Sequence, residues 1–239
     1  MIIEIPKLAY MCPACGNYFY ESGVRSFTIF GAIRYSDGVS QTNFDSFWMT
    51  RCPKCEQCFA IEHLFKLPFP ISVGPIPVDY EKRVPKAVRE RMEKEQEKYG
   101  RLGSHYFYGD EKMKFIEKVI EQGQYFPVTV SEAAKKRYKC LLYRDLWHEY
   151  NLRRDSVSDE VYRKLCSELI EMLEDQTGEE GCITLAELYR NIGDFHKCLD
   201  VIRSTNFKRV DKATVDCIRK EALRQNKMTV IVEDTLTNS

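Results

Sequence analysis

The spacing of apolar residues changes character part-way along the chain. Up to residue 72 they fall in short runs rich in β-branched and aromatic side chains, such as Ser26-Phe27-Thr28-Ile29-Phe30 and Phe44-Asp45-Ser46-Phe47-Trp48-Met49-Thr50. Such runs predict strands, and Asp37-Gly38 predicts a turn between two of them. Residues 68–85 then bring Pro68, Pro70, Pro75, Pro77 and Pro85 with Gly74, which no helix tolerates. Ile71, Val73, Ile76 and Val78 make this an extended linker with apolar side chains to bury.

Beyond the linker the period is helical. Residues 86–99 are charged with few apolar anchors. Met113, Phe115, Ile116, Val119 and Ile120 share one broad face over 110–122. Ser131 opens a long helix to about Arg154, carrying Tyr138, Leu141, Leu142, Leu146 and Trp147. A polar break at 155–158 precedes a helix over 158–175, which Thr177-Gly178 stops. Leu185 to Ile202 predicts a helix, a tight turn near Gly193 and an antiparallel second helix. A further helix spans about 211–225, and Met228 to Val232 predicts a short strand. The fold class is therefore α+β: a small β-rich ribbon followed by an all-α helical-hairpin domain. The expected division is a ribbon over 1–72, a proline-rich linker over 73–85 and a helical domain over 86–239, with its hairpin near 182–204.

Two cysteine pairs sharpen this picture. Cys12-Pro13-Ala14-Cys15-Gly16 and Cys52-Pro53-Lys54-Cys55 each bend the chain so that two thiolates point at one ion. Together Cys12, Cys15, Cys52 and Cys55 make a four-cysteine set of the kind that holds structural Zn2+, with iron as the alternative. Four protein ligands leave no coordination position for a substrate, so the motif names a metal and no reaction. Gly16 permits the positive φ such a knuckle needs, whereas Glu56 occupies the same place in the second knuckle, where a distorted turn or tolerated strain is expected. Cys58 extends the second pair and is expected to be a small buried residue. His63 is superfluous as a ligand beside four cysteines.

Ten cysteines do not imply a disulfide framework here, because Cys140, Cys166, Cys182, Cys198 and Cys217 are scattered singly through helical sequence. Lys+Arg 36 balances Asp+Glu 36, so no global field attracts nucleic acid or an anionic membrane. The opening Met-Ile-Ile-Glu-Ile-Pro-Lys lacks the pattern of a signal peptide, and no apolar run reaches the ~20 residues of a membrane span. The expectation is a cytoplasmic protein without a membrane partner.

The cysteine pairs resemble a zinc ribbon or, more broadly, a rubredoxin-like knuckle fold. Leu185, Ala186, Tyr189, Gly193 and Phe195 fall where one tetratricopeptide unit places its packing residues, with Cys198 where that unit has a small Ala. An N-terminal four-cysteine ribbon followed by a tetratricopeptide-like half is similar to a group of bacterial proteins whose activity is uncharacterised. The resemblance implies a metal-binding ribbon and a protein-binding helical half, and it supplies no activity.

Other candidates have plainer explanations. Tyr18, Phe19, Tyr20, Phe27, Phe30, Tyr35, Phe47 and Trp48 offer rings for stacking bases, but a ribbon this small needs them for its own core. His148 and Glu149 are adjacent on a helix and diverge, so they cannot act jointly on one substrate atom, and His148 reads as a surface residue. His105 sits in Ser104-His105-Tyr106-Phe107-Tyr108-Gly109, read as an aromatic plug. The leading expectation is a non-enzymatic zinc-binding protein whose helical half binds a protein or peptide. Nucleic-acid recognition through the ribbon and an enzyme site near His105 are the alternatives. No catalytic residues and no organic cofactor site stand out.

Overall fold

A computed structural model describes residues 3–26, 32–42, 49–61, 65–66, 86–87, 90, 94, 110–123, 131–174 and 178–234. The linker read at 73–85, and with it His63 and His105, lies outside these residues. The layout is α+β, with a small strand-containing N-terminal region and a helical C-terminal half. The chain divides into two compact units.

The first unit comprises Met1–Thr28, Asp45–Glu111 and Glu117–Lys135. Strand β1 (Ile3–Met11) pairs antiparallel with β2 (Tyr18–Ser26). Their register slips between Ile5 and Leu8, across Pro6, which has no N–H to give to a ladder. Strands β3 (Ala32–Tyr35) and β4 (Ser40–Thr42) belong to the second unit, β5 (Met49–Arg51) and β6 (Cys58–Ala60) follow in the first, and β7 (Phe65–Lys66) joins β1 on its other side to give the order β2-β1-β7. Strands β5 and β6 form a separate hairpin. Each hairpin, β1–β2 and β5–β6, is closed by one cysteine knuckle. Tyr10, Cys12, Cys52 and Phe59 form the buried core here, with Cys15 and Ile61 packed against it.

The second unit comprises Ile29–Phe44, Lys112–Ile116 and Lys136–Ser239. Its helices are α1 (Asp110–Gln122, of which only 112–116 fall in this unit), α2 (Glu132–Leu152, from 136 onward), α3 (Asp159–Leu173), α4 (Glu179–Ile192), α5 (Phe195–Ser204) and α6 (Lys212–Leu223). The caps are local and follow from the sequence. Ser158 accepts from Val161 N, Asp194 from Lys197 N and Asp211 from Thr214 N, each satisfying an orphan donor of a first turn. Gly193 at φ +90 ends α4, so the chain reverses into α5 and forms the expected hairpin. Ile183, Ala186, Cys198, Ile202, Val215, Ile218 and Ala222 join α4, α5 and α6 in one apolar core.

Strands β3 and β4 turn at Asp37-Gly38 as expected, with Gly38 at φ +82. Their sheet partner is the C-terminal strand β8 (Ile231–Asp234), in the order β4-β3-β8. The β3–β4 part of the segment between the two cysteine pairs is therefore not in the ribbon but falls in the helical unit. Strand β8 also starts three residues later than the apolar run Met228 to Val232 suggests, because pairing with β3 sets its limits.

Candidate metal centre

The two knuckles are built alike. In the first, Cys12 N donates to Asn17 O at 2.8 Å and Gly16 N to Cys12 O at 2.9 Å; in the second, Cys52 N donates to Gln57 O at 2.9 Å and Glu56 N to Cys52 O at 2.9 Å. This ring of bonds requires a left-handed residue at one place, and Gly16 supplies it at φ +67. Glu56 takes the same conformation at φ +59, so the second turn is strained rather than distorted. The Lys118 ammonium lies 3.0 Å from the Glu56 carboxylate and holds its pKa below the ordinary value.

The four sulfurs converge. Cys12 Sγ lies 3.6 Å from Cys55 Sγ and Cys15 Sγ lies 3.7 Å from Cys52 Sγ, and all four lie within 4.8 Å of one another. These separations are far beyond an S–S bond of about 2.05 Å. A tetrahedral ion with thiolate bonds of about 2.3 Å demands edges of about 3.8 Å, close to the two shortest separations of the set. The four cysteines are thus positioned to hold a metal ion. The proximity of the Cys12 and Cys52 thiols raises the pKa of Cys12 and lowers that of Cys52. Burial pushes Cys55 up. A bound ion replaces the protons on these sulfurs.

Cys58 is fully buried beside the second knuckle, and burial pushes its thiol up to about 11. It lies outside the converging set. Its backbone is gripped by Gln122, which no motif singles out: Gln122 Oε1 accepts from Cys58 N at 3.0 Å and Gln122 Nε2 donates to Cys58 O at 3.3 Å. The amide mimics a strand edge and satisfies β6 where, among the described residues, no strand is paired. Asn17 is also buried, and among the described residues neither of its side-chain polar atoms has a hydrogen-bond partner.

The second unit holds a polar cluster that the sequence concealed. His148, read as a surface residue, and Glu149 are both buried. His148 Nδ1 donates to Asp37 Oδ2 at 2.7 Å, and Asn151 Nδ2 donates to the same oxygen at 3.1 Å. Asp37 Oδ1 accepts from Val39 N at 3.1 Å. Asn151 in turn accepts from Tyr162, whose hydroxyl accepts from Trp147 Nε1 at 3.2 Å. Ser36 donates to Glu187 Oε1 at 2.6 Å and accepts from Arg190 Nη2 at 3.3 Å and Val230 N at 3.0 Å. Glu187 and Arg190 form a fully buried ion pair, and Arg190 also donates to Asn226 O. Burial raises the Glu187 pKa against the opposing pull of Arg190. Glu149 is paired to Lys112 at 2.9 Å and Arg153 at 2.6 Å. These bonds tie the β3–β4 turn to α2 and α4, and α2 to α3, in one buried polar network.

No protein-family model matches the chain, and no curated protein or solved structure matches it significantly. Among the described residues, no helix is long and apolar enough to cross a membrane.

Proposed function

We propose that the chain is a non-enzymatic zinc-binding protein that serves as an interaction or adaptor module. The observation that carries this reading is the closed four-sulfur set formed by Cys12, Cys15, Cys52 and Cys55, whose edges of 3.6 Å and 3.7 Å suit a tetrahedral ion. Zinc has no geometric preference of its own and accepts such a cage, and four thiolates leave it no open position for chemistry. The ion's role is then to fold a unit with few other means of support. Linking positions 37 and 43 residues apart removes roughly 4 kcal/mol of chain entropy from the unfolded unit.

Partner binding is assigned to the helical half. Its α4–α5 hairpin keeps the packing residues that make it similar to a tetratricopeptide unit, and stacked hairpins of that kind leave a face for peptides. The test has two parts. Metal analysis of purified protein gives one zinc per chain, and cross-linking mass spectrometry on a native-cell extract places partner cross-links on α4–α6. Sub-micromolar nucleic-acid binding at physiological salt, lost in Lys54→Ala, overturns the adaptor reading in favour of the ribbon as the working surface.

A further inference from the structure

We infer that the helical unit associates end to end with further copies of this chain, the basic outer face of α6 in one copy meeting the acidic outer face of α3 in the next. The chain is neutral overall, but its charges are not evenly mixed along this unit. From Asp155 to Glu180 nine carboxylates accompany two cations, and from Lys208 to Lys227 seven cations accompany three carboxylates. The first run holds α3 and the start of α4; the second holds α6 and the approach to it. Among the helices from α3 onward, α3 and α6 are also the two ends of a series, because α4 packs on α3 and α5, and α6 packs on α5 and α4. One protein therefore carries both halves of a complementary pair, on different helices of one unit.

The α6 face has an apolar centre and a charged rim. Val215, Ile218 and Ala222 are buried, so the helical period puts Lys212, Asp216, Arg219, Lys220, Leu223 and Arg224 on one outward face. Leu223 lies in the middle of it and is 66% exposed. Asp216 pairs with Arg219, Glu221 with Arg224 and Asp211 with Arg34. That uses the three local carboxylates, and among the described residues Lys208, Arg209, Lys212 and Lys220 have no carboxylate partner. On α3 the exposed residues include Glu160, Glu171 and Glu174, none of them in an ion pair among the described residues, and Val161 beside Glu160 is 48% exposed. Of the two cations there, Arg163 donates to Ile192 O at 3.3 Å. Nucleic acid would answer the α6 cations and leave the α3 carboxylates unmatched, and a phosphate backbone has no use for Leu223. A second copy answers both faces and supplies an apolar neighbour for Leu223. Exposed ion pairs contribute little singly, so the apolar centre carries the affinity while the charges set orientation and encounter rate. A contact between unlike faces leaves one face of each kind free on every pair, so copies add until a ring closes or the chain of copies ends.

Sedimentation velocity of the full chain over a concentration series is the test. In about 0.1 M salt, where charges are felt over about 10 Å, the mean mass is expected to rise with concentration. In about 1 M salt that length falls to about 3 Å, and association is expected to weaken about tenfold or more. Two variants, built from exposed residues only, block one face each. Lys220→Ser with Leu223→Ser removes the α6 side, and Glu160→Gln with Glu171→Gln neutralises the α3 side. Each alone is expected to stay monomeric where the parent assembles. Mixed one to one, they are expected to give a heterodimer that grows no further, because each supplies the face the other has lost. A parent that stays monomeric in about 0.1 M salt at its highest soluble concentration overturns the proposal. So does a parent that stops at two copies, the mark of a contact between like faces, or a mixture no heavier than its components. Association that nuclease treatment abolishes assigns the α6 cations to nucleic acid and overturns it as well.

Discussion

Asp37 Oδ2 and His148 Nδ1 meet at 2.7 Å although 111 residues separate them. Both side chains are almost wholly withdrawn from water. Asp37 sits at the tip of a two-stranded turn and His148 on the inner face of α2, so this one bond fastens the β3–β4 hairpin to the longest helix. Asn151 shares the carboxylate, and Tyr162 and Trp147 extend the chain of bonds into α3.

Removing that acceptor is expected to be costly. Asp37→Ala leaves the His148 and Asn151 donors buried and unpaired, a loss of about 3 kcal/mol or more. The chain has two tryptophans, Trp48 and Trp147, so Trp48→Phe makes fluorescence report the helical unit alone. Urea unfolding in that background is expected to show a markedly lower midpoint for Asp37→Ala; an unchanged midpoint contradicts a supporting role for the bond.

The metal set gives a spectroscopic expectation. Cobalt added to metal-free protein should produce the visible and thiolate-to-metal bands of a tetrahedral four-sulfur site. Cys12→Ser, Cys15→Ser, Cys52→Ser and Cys55→Ser should each weaken or alter them. Cys58→Ser should leave them intact, because Cys58 lies outside the converging sulfurs.

Glu56 and Gly16 form a matched pair of tests, because they occupy equivalent places at φ +59 and φ +67. Gly16→Ala meets no atom within 4 Å, so its cost is backbone strain alone, about 1 kcal/mol. Glu56→Gly relieves the same strain and gives up only an exposed ion pair with Lys118, worth little. Thermal denaturation of zinc-loaded protein should place Glu56→Gly above the parent and Gly16→Ala below it. The reverse order contradicts the equivalence of the two knuckles.

Thiol labelling should separate the cysteines by burial. Cys166 and Cys198 are pushed up to about 12 and Cys58 to about 11, each chiefly by burial. The reactive thiolate is scarce at such sites, so iodoacetamide at neutral pH should modify these three last in the zinc-loaded protein. Because their folded pKa values are raised, whatever stability they contribute is complete below the unfolded thiol pKa and is lost as pH rises toward 11–12. Peptide mapping that finds Cys58 among the first labelled residues contradicts its burial.

The features legible in the sequence are those that depend on neighbours along the chain. A C-x2-C pair fixes its own bend, so two of them announce a four-sulfur set before any fold is known. Asp37-Gly38 announces its turn and Gly193 the reversal into α5, because a left-handed φ is a matter of a few residues. The tertiary structure alone decided where the β3–β4 segment belongs. Its pattern reads as ribbon, but Ser36 finds Glu187 across 151 positions and Asp37 finds His148 across 111. Those partners lie on helix positions that look solvent-facing, since a histidine or glutamate is polar whether it meets water or a buried counterpart. Periodicity records which residues avoid water and is silent about polar groups that satisfy one another inside, and that is why the cluster holding the β3–β4 turn appears only once the helices are packed.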